Sequence, residues 1–231
     1  MTDLTIICSD GDPLIVPIAL ATKIPYFQGM YNGFREGKDN ILDLSSMTRV
    51  TCQDVIGYLT TKELVLPPTS DRRQTALGLA RYWMYDEYID VFCDALVAMT
   101  YADKAYIVET INLIIYIERW QKYQAWFDTR ITSMAILSNI HILCHDAIAL
   151  FFKIYEQDKS RMGYLFPLLR DWYLGDKDKS KVVPITKYLQ TCPLTTFALA
   201  PKHRTKSFLE LFPDPIFARR LAKIAIDHLE F

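Results

Sequence analysis

The pattern His141-x-x-Cys144-His145 is the sequence feature whose residue types and spacing come closest to a metal-binding motif. On one continuous helix, side chains four residues apart share a face, so the two imidazoles could ligate one ion. No acid or thiol stands at a matching spacing elsewhere, and Cys192 and His203 could join only through the tertiary fold. Other polar residues share this side of the helix, so we favour a solvated or partner-facing helix side and expect no metal.

Two further groups of charged residues have simpler explanations than a binding site. Asp10 and Asp12 flank Gly11, and a turn explains them better than a calcium site because no further acids follow in register. The basic cluster at 202–206 could meet a phosphate or an acidic protein strip. It has no interleaved aromatic residues and the net charge of the chain is −1, so we expect no nucleic-acid partner.

The sequence lacks the motifs that would indicate catalysis. Gly29, Gly33 and Gly37 are evenly spaced, but they do not lie between a strand and a helix as in a phosphate-binding loop. No Gly-x-Ser-x-Gly motif occurs, and no nucleophile–base pair can be named. We therefore expect a protein that is not an enzyme, with no cofactor and no small-molecule substrate.

The composition is typical of a folded chain in a reducing compartment. The 231 residues are 51% hydrophobic and 13% aromatic, which is ample for one large domain or two small ones. The five cysteines are widely spaced in apolar stretches, and the first residues resemble a strand and not a secretory signal. We expect a cytoplasmic protein, and the nucleus is the alternative location. Polar residues interrupt the apolar run 134–155, which favours a buried or amphipathic helix over a membrane span.

The elements that would position any site fall into two parts, and the predicted fold class is α+β. Alternating and helical spacings predict a small mixed domain over residues 1–98, with a short sheet flanked by helices, and a mostly helical extension over 99–231. The first part is predicted to contain strands at 3–8, 14–16, 40–44 and 63–66, a short helix before Pro25, a helix at 51–61 and a helix pair at 76–97. The extension is predicted to contain helices at 106–120, 133–156, 164–174, 183–190 and 215–229.

Seven short segments, in this order and spacing, resemble the BTB (POZ) domain, a protein-interaction fold. They are Asp-Leu-Thr-Ile at 3–6, Ala-Leu-Ala-Thr-Lys-Ile-Pro-Tyr-Phe at 19–27, Asn-Gly-Phe-Arg-Glu at 32–36, Ile-Leu-Asp-Leu at 41–44, Gly-Tyr-Leu-Thr-Thr-Lys-Glu-Leu at 57–64, Leu-Ala-Arg-Tyr-Trp-Met at 79–84 and Val-Phe-Cys at 91–93. The resemblance covers about the first 100 residues. The helical extension lies where adaptor proteins of this family carry further helices, but its sequence is not matched.

The chain also departs from the family pattern at several places. Val-Pro at 16–17 stands where the family has a His-Lys or His-Arg pair, and Thr-Thr-Lys at 60–62 replaces Tyr-Thr-Gly. The first strand begins at residue 3, so we expect no homodimer formed by swapping an amino-terminal arm. After its third strand the family's cullin contact often has a hydrophobic residue and then, two positions later, an acid. Met-Thr-Arg at 47–49 ends in a base.

The resemblance implies a non-enzymatic adaptor whose partner is a protein, either a cullin-type ubiquitin-ligase scaffold or a second copy of the chain. Its surface would be formed by helix 51–61, the approach at 47–50 and the helices around 82–88. Phe34 lies in a polar loop, where it either anchors a partner or folds back on the helix above it. The candidate partner-binding residues are Phe34, Met47, Arg49, Tyr58, Tyr85 and Tyr88.

An architectural subunit is the alternative function. Such a protein would associate with itself or take its place in a larger assembly, with no link to ubiquitin. The base at 49 and the lack of a kelch or zinc-finger module for substrates both favour it.

Overall fold

The computed structural model describes residues 3–33, 39–134, 137, 139–155, 168 and 172. It is a mixed α+β protein, as predicted, with a three-stranded sheet and eight helices among these residues. The chain divides into two compact units, Met1–Ala102 and Asp103–Phe231. The predicted boundary at residue 98 falls within a helix that continues to Ala102, because no proline or glycine interrupts it.

The sheet of the first unit consists of β1 (Asp3–Cys8), β2 (Leu14–Pro17) and β3 (Ile41–Leu44), in the spatial order β2-β1-β3. β1 pairs antiparallel with β2 and parallel with β3. Successive side chains point to opposite faces of a strand, so one face carries the buried residues Leu4, Ile6, Leu14, Val16 and Leu42. Burying one such side chain contributes roughly 1.5–3 kcal/mol, so the alternation of the sequence decides which face meets the core.

The predicted turn at Gly11 is present and holds the beginning of a helix. Gly11 has φ +69°, in the left-handed region that glycine adopts without strain. The Arg49 N–H donates a hydrogen bond to the Asp10 carboxylate over 2.6 Å. A Cβ added at Gly11 would lie 3.2 Å from Cδ of Arg49, so a side chain there would both strain the turn and press on Arg49.

The described first unit also contains five helices. They are α1 (Ile18–Ala21), α2 (Pro25–Gly33), α3 (Arg49–Thr61), α4 (Ser70–Tyr82) and α5 (Asp86–Ala102). The hydroxyls of Thr48 and Thr69 accept the N–H groups of Thr51 and Arg72, which marks the first turns of α3 and α4. The fully buried aromatic side chains of this unit are Phe27, Trp83, Tyr88 and Phe92.

Residues 63–66, predicted as a strand, form no strand. Their side chains do alternate in exposure, and Val65 is 76% exposed. No strand of the described sheet lies beside them, and the Pro67 carbonyl instead accepts Nη1 of the buried Arg73 at 2.8 Å. Alternating burial along the chain indicates only that one side of a segment is covered. A strand also needs a neighbouring strand to pair with, and the alternation does not show whether one is present.

A left-handed residue ends α4 and turns the chain directly into α5. Met84 has φ 55°, and its N–H donates to the Arg81 carbonyl at 3.0 Å. The next N–H, from Tyr85, reaches back to the Ala80 carbonyl at 2.9 Å. These two bonds satisfy carbonyls at the helix end in the Schellman arrangement, in which glycine is the usual left-handed residue.

The second unit contains α6 (Tyr106–Tyr116), α7 (Gln124–Met134), a 3₁₀ turn (Ile140–Ile142) and α8 (His145–Tyr155). Its buried apolar side chains include Ile107, Ile111, Phe127, Ile148 and Phe151. The prediction of one helix over 133–156 is wrong, because α7 ends at Met134 and α8 begins at His145.

Three side-chain hydrogen bonds explain the break before α8. Leu143 has an extended backbone, with φ −60° and ψ 133°. Asn112 of α6 donates to the Ile142 carbonyl at 3.0 Å and accepts the Cys144 N–H at 2.8 Å. The Trp172 indole N–H donates to the Leu143 carbonyl at 2.7 Å. Side chains thus occupy backbone groups that a continuous helix would have paired internally.

Several predicted features lie outside the described residues. These are Phe34, Cys192, the basic cluster at 202–206 with His203, and the helices predicted at 183–190 and 215–229. Of the helix predicted at 164–174, only residues 168 and 172 are described, and both are helical. Among the described residues, none of the helices combines the length and the apolar character that crossing a lipid bilayer requires.

Replacing Met84 by glycine is expected to stabilise the protein. Met84 is 54% exposed and holds a left-handed φ, which costs an L-residue with a side chain roughly 1 kcal/mol. Gln74→Gly, at an exposed position in the middle of α4, is the matched control and should cost about 1 kcal/mol. Urea unfolding midpoints of the two variants should therefore move in opposite directions. A loss of stability in Met84→Gly would contradict the assignment of strain.

Candidate protein-interaction site

Helix α3 buries one side and presents the other. The helical spacing of Val55, Tyr58 and Leu59 in the sequence predicts that they face inward. They are 0%, 6% and 1% exposed, so that prediction is confirmed. Gln53 and Gly57 lie on the exposed side of the same helix. The helix therefore offers a surface of its own beside a firmly packed core.

An open groove of about 340 Å³ runs along the exposed side of α3, and we call it the α3 groove. It is lined by Val50, Gln53, Asp54, Gly57, Tyr58 and Thr61 of α3, by Glu63 and Val65 of the following segment, and by Arg72 of α4. Gly57 leaves space in it, because a Cβ added there would meet no atom within 4 Å. A larger residue at this position would fill part of the groove without touching the core.

Two exposed valines give the α3 groove its apolar character. Val50, in the first turn of α3, is 42% exposed, and Val65, in the segment after α3, is 76% exposed. Both line the same depression. An apolar patch with polar residues around it is the usual mark of a contact surface, since covering it removes apolar area from water.

The ion pair between Asp54 and Arg72 links two sides of the groove. Nη2 of Arg72 lies 2.8 Å and 2.9 Å from the two carboxylate oxygens of Asp54. Burial raises the pKa of Asp54, while the hydrogen bond from Arg72 acts in the opposite direction. The pair holds α4 against α3, and its two charges neutralise each other. Glu63 is the other charged residue in the lining of the groove.

Lys62 ends α3 in a left-handed conformation and stabilises the adjoining helix. Its φ is 58°, its N–H donates to the Tyr58 carbonyl at 2.8 Å, and it stands where the resembled family has glycine. Its Nζ donates to both carboxylate oxygens of Glu87 in α5, at 2.7 Å and 2.8 Å. This conformation directs the lysine toward α5, so one residue both ends α3 and ties it to α5.

Three tyrosines lie beneath this ion pair. The ring centroids of Tyr58 and Tyr88 are 5.6 Å apart, and those of Tyr85 and Tyr88 are 6.0 Å apart in a stacked arrangement. The three side chains are only 6%, 3% and 0% exposed in the order Tyr58, Tyr85 and Tyr88. Burial is the main cause that raises the pKa of all three phenols, so they are neutral near pH 7. A partner would reach Lys62 and Glu87 before these rings, and the contact role predicted for the tyrosines stays a prediction.

Met47 and Arg49 hold the beginning of α3. The Met47 N–H donates to the Leu44 carbonyl and its own carbonyl accepts the Ser9 N–H, both at 2.8 Å. The backbone N–H of Arg49 donates to the Asp10 carboxylate. Both side chains are half-buried beside Val50, where the α3 groove begins. The structure thus gives both residues a role within the fold, and their predicted role in partner binding stays a prediction.

The sequence reasoning missed several residues that build the groove. Asp54 and Arg72 meet only through the tertiary fold, so no local pattern could have paired them. Val65 was assigned to a strand, and its exposure depends on that strand not forming. Lys62 carried a usable signal, because it follows the last apolar residues of a helical pattern and replaces a glycine of the resembled family.

The helical geometry assumed for a metal site at His141 and His145 is not present. His141 lies in the 3₁₀ turn and His145 begins α8, with the extended Leu143 between them. The His145 ring instead packs edge-on against Trp172, with centroids 5.4 Å apart. Within the described residues no three His, Cys, Asp or Glu side chains are grouped closely enough to hold an ion.

No protein-family model matches the chain, and no curated protein matches it either. The resemblance to the BTB domain therefore depends on the quoted segments and on the order of the elements, and it stays a prediction.

Removing the Glu87 carboxylate is expected to change stability in a pH-dependent manner. Hydrogen bonding from Lys62 lowers the pKa of Glu87 below its ordinary value of 4.5. The stabilisation is therefore complete above pH 4.5 and is lost as pH falls through the lowered pKa. The Lys62 and Glu87 side chains are 47% and 54% exposed, so we expect less than about 1 kcal/mol.

The measurement is the free energy of unfolding in urea at pH 7 and pH 3. Glu87→Gln should be less stable than the unaltered protein at pH 7, with a smaller difference at pH 3. Glu63→Gln removes the same charge from an exposed position and is the control. A penalty for Glu87→Gln that is as large at pH 3 as at pH 7 would contradict the role of the charge.

Proposed function

We propose that this protein is an interaction adaptor whose amino-terminal unit binds another protein through the α3 groove. The observation that carries the proposal is an open depression with two exposed valines in its lining, in which the Asp54–Arg72 ion pair joins α3 to α4. The Asp54–Arg72 pair braces α4 and the Lys62–Glu87 pair braces α5. Such bracing means that a partner meets a preformed surface, so little entropy is lost on binding.

The proposed partner is a cullin-type ubiquitin-ligase scaffold. Support comes from the resemblance of residues 1–98 to the BTB domain and from the element order, in which two strands, helices, a third strand and three longer helices follow one another. A stable contact of ordinary size buries roughly 800 Å² on each partner. The groove would be the apolar centre of that area, with Gln53, Thr61 and Glu63 at its polar margin.

An architectural subunit without a ubiquitin link is the second candidate, and the environment of Arg49 favours it. Arg49 occupies the position at which the cullin contact of the BTB family often has an acid. It is also engaged within the fold, since its backbone N–H donates to Asp10 and its side chain packs over Gly11. A residue with these internal contacts is less free to be exchanged for a scaffold contact.

Filling the groove is expected to prevent binding without unfolding the protein. Gly57→Leu places a side chain in open space at an exposed helical position, and leucine favours a helix more than glycine does. Gly29→Leu, on α2, makes the same replacement at another exposed helical glycine with open space around it. With a panel of purified cullin scaffolds, calorimetry should show at least tenfold weaker binding for Gly57→Leu and unchanged binding for Gly29→Leu.

The outcomes separate the two candidates. Equal affinity of the two variants for a scaffold would remove the α3 groove as the binding surface. If no cullin binds, and light scattering shows a mass that increases with concentration and decreases in Gly57→Leu, the architectural function replaces the adaptor. Tyr58 is unsuitable for this test, because its ring is part of the core and its removal would destabilise the fold.

A further inference from the structure

The sheet has an outer face that is unusually apolar for a solvated surface. Alternation places on this face Asp3, Thr5 and Ile7 of β1, Ile15 and Pro17 of β2, and Ile41 and Asp43 of β3. The three isoleucines are 38%, 60% and 44% exposed in chain order. We call this surface the outer sheet face.

The strand register gathers the three isoleucines around one residue. Thr5 pairs with Ile15 on one side and with Ile41 on the other. Neighbouring strands lie about 4.8 Å apart, so this row spans roughly 10 Å across the sheet. Ile7 lies two residues further along β1 and pairs with Asp43. The apolar side chains therefore form one continuous patch.

The outer edge of β3, beside this patch, has no neighbouring strand among the described residues. The Thr5 N–H donates to the Asn40 carbonyl. In a parallel pair, the N–H and C=O groups of Asn40 and Leu42 therefore point toward β1. Those of Ile41 point away from β1, to the outer edge of the sheet. Among the described strands none pairs with this edge, because β3 ends the order β2-β1-β3. Proteins commonly protect a free edge with lysine or proline, and β3 has neither, whereas β2 ends at Pro17.

The charge of the outer sheet face indicates the chemistry of its occupant. Its two charged residues, Asp3 and Asp43, are both acidic, and the three strands contain no lysine or arginine. A second copy placed on this face would bring acid against acid. A segment with lysine or arginine would meet opposite charge, and cross-strand pairs of opposite charge contribute about 0.2–1 kcal/mol each.

We propose that the β3 edge and the outer sheet face bind an extended segment of a partner protein in which an apolar residue and a lysine or arginine stand two positions apart. The segment adds a fourth strand beside β3. Residues two positions apart share a face of a strand, so the apolar side chain continues the row of Ile15, Thr5 and Ile41 and the basic side chain lies beside Asp43. This surface is formed by elements other than those of the α3 groove and is proposed independently of it.

Synthetic peptides provide the test. An eight-residue peptide with the repeat Val-Thr-Lys-Thr, which places valine and lysine on one face of a strand, should bind the full chain, with perturbed amide signals of Ile41 and Asp43 in NMR spectra. The peptide with glutamate in place of lysine should bind at least fivefold more weakly. A valine–lysine peptide N-methylated on the amides of both edges cannot form the added ladder in either direction, and it should lose binding.

Variants with matched controls locate the surface. Ile41→Thr should weaken binding by about twofold to fivefold and Ile15→Thr by less, since β3 and β1 both lie between β2 and the added segment. Asp43→Asn removes a charge but keeps the oxygen that accepts the Ser45 N–H, and it should weaken binding about as much as Ile41→Thr. Asp12→Asn, in the exposed turn, should not. Gly57→Leu should leave peptide binding unchanged.

Three results would overturn the proposal. One is the absence of binding by the valine–lysine peptide at millimolar concentration, and another is equal binding of its N-methylated form. The third is concentration-dependent dimerisation that Ile41→Thr abolishes, because a second copy would then occupy the face.

Discussion

The junction between the β1–β2 turn and the beginning of α3 is the constraint on which the first unit depends. Asp10 accepts the first N–H of α3, the Met47 carbonyl accepts Ser9, and Gly11 allows Arg49 to lie over the turn. The chain has only residues 45–48 in which to leave β3 and start α3. The turn hydrogen-bonds to this short connection at both Met47 and Arg49, so the direction in which α3 leaves the sheet is fixed. The position of the α3 groove is fixed with it.

The far end of α3 is held by a different kind of interaction. Lys62 takes a left-handed backbone conformation and reaches Glu87, while the tyrosines below it fill the space between α3 and α5. The aromatic packing is buried and does not depend on pH, whereas the ion pair is about half exposed and does. Stability at this end thus comes mainly from packing, and the ion pair gives the adjoining surface its orientation.

The consequence is a unit with two apolar surfaces on separate elements. The α3 groove lies between a helix and the irregular segment after it, and the outer sheet face lies on the strands. An adaptor needs two such surfaces if it is to hold two partners at once. Neither surface offers a cluster of groups with chemistry of its own, so shape, apolar area and charge are the properties that each would contribute to recognition.

The sequence by itself determined the α+β class, the three strands of the sheet, the inward residues of α3 and the turn at Gly11. Each is a local property, because the alternation or helical spacing of apolar residues shows which side of a segment is covered. The tertiary structure alone decided that residues 63–66 pair with no strand, that Asn112 and Trp172 interrupt a helical pattern before α8, and that Asp54 meets Arg72 across the groove. These outcomes depend on polar groups that are far apart in the chain. The spacing of apolar residues within a segment does not predict the path of the backbone that brings such groups together.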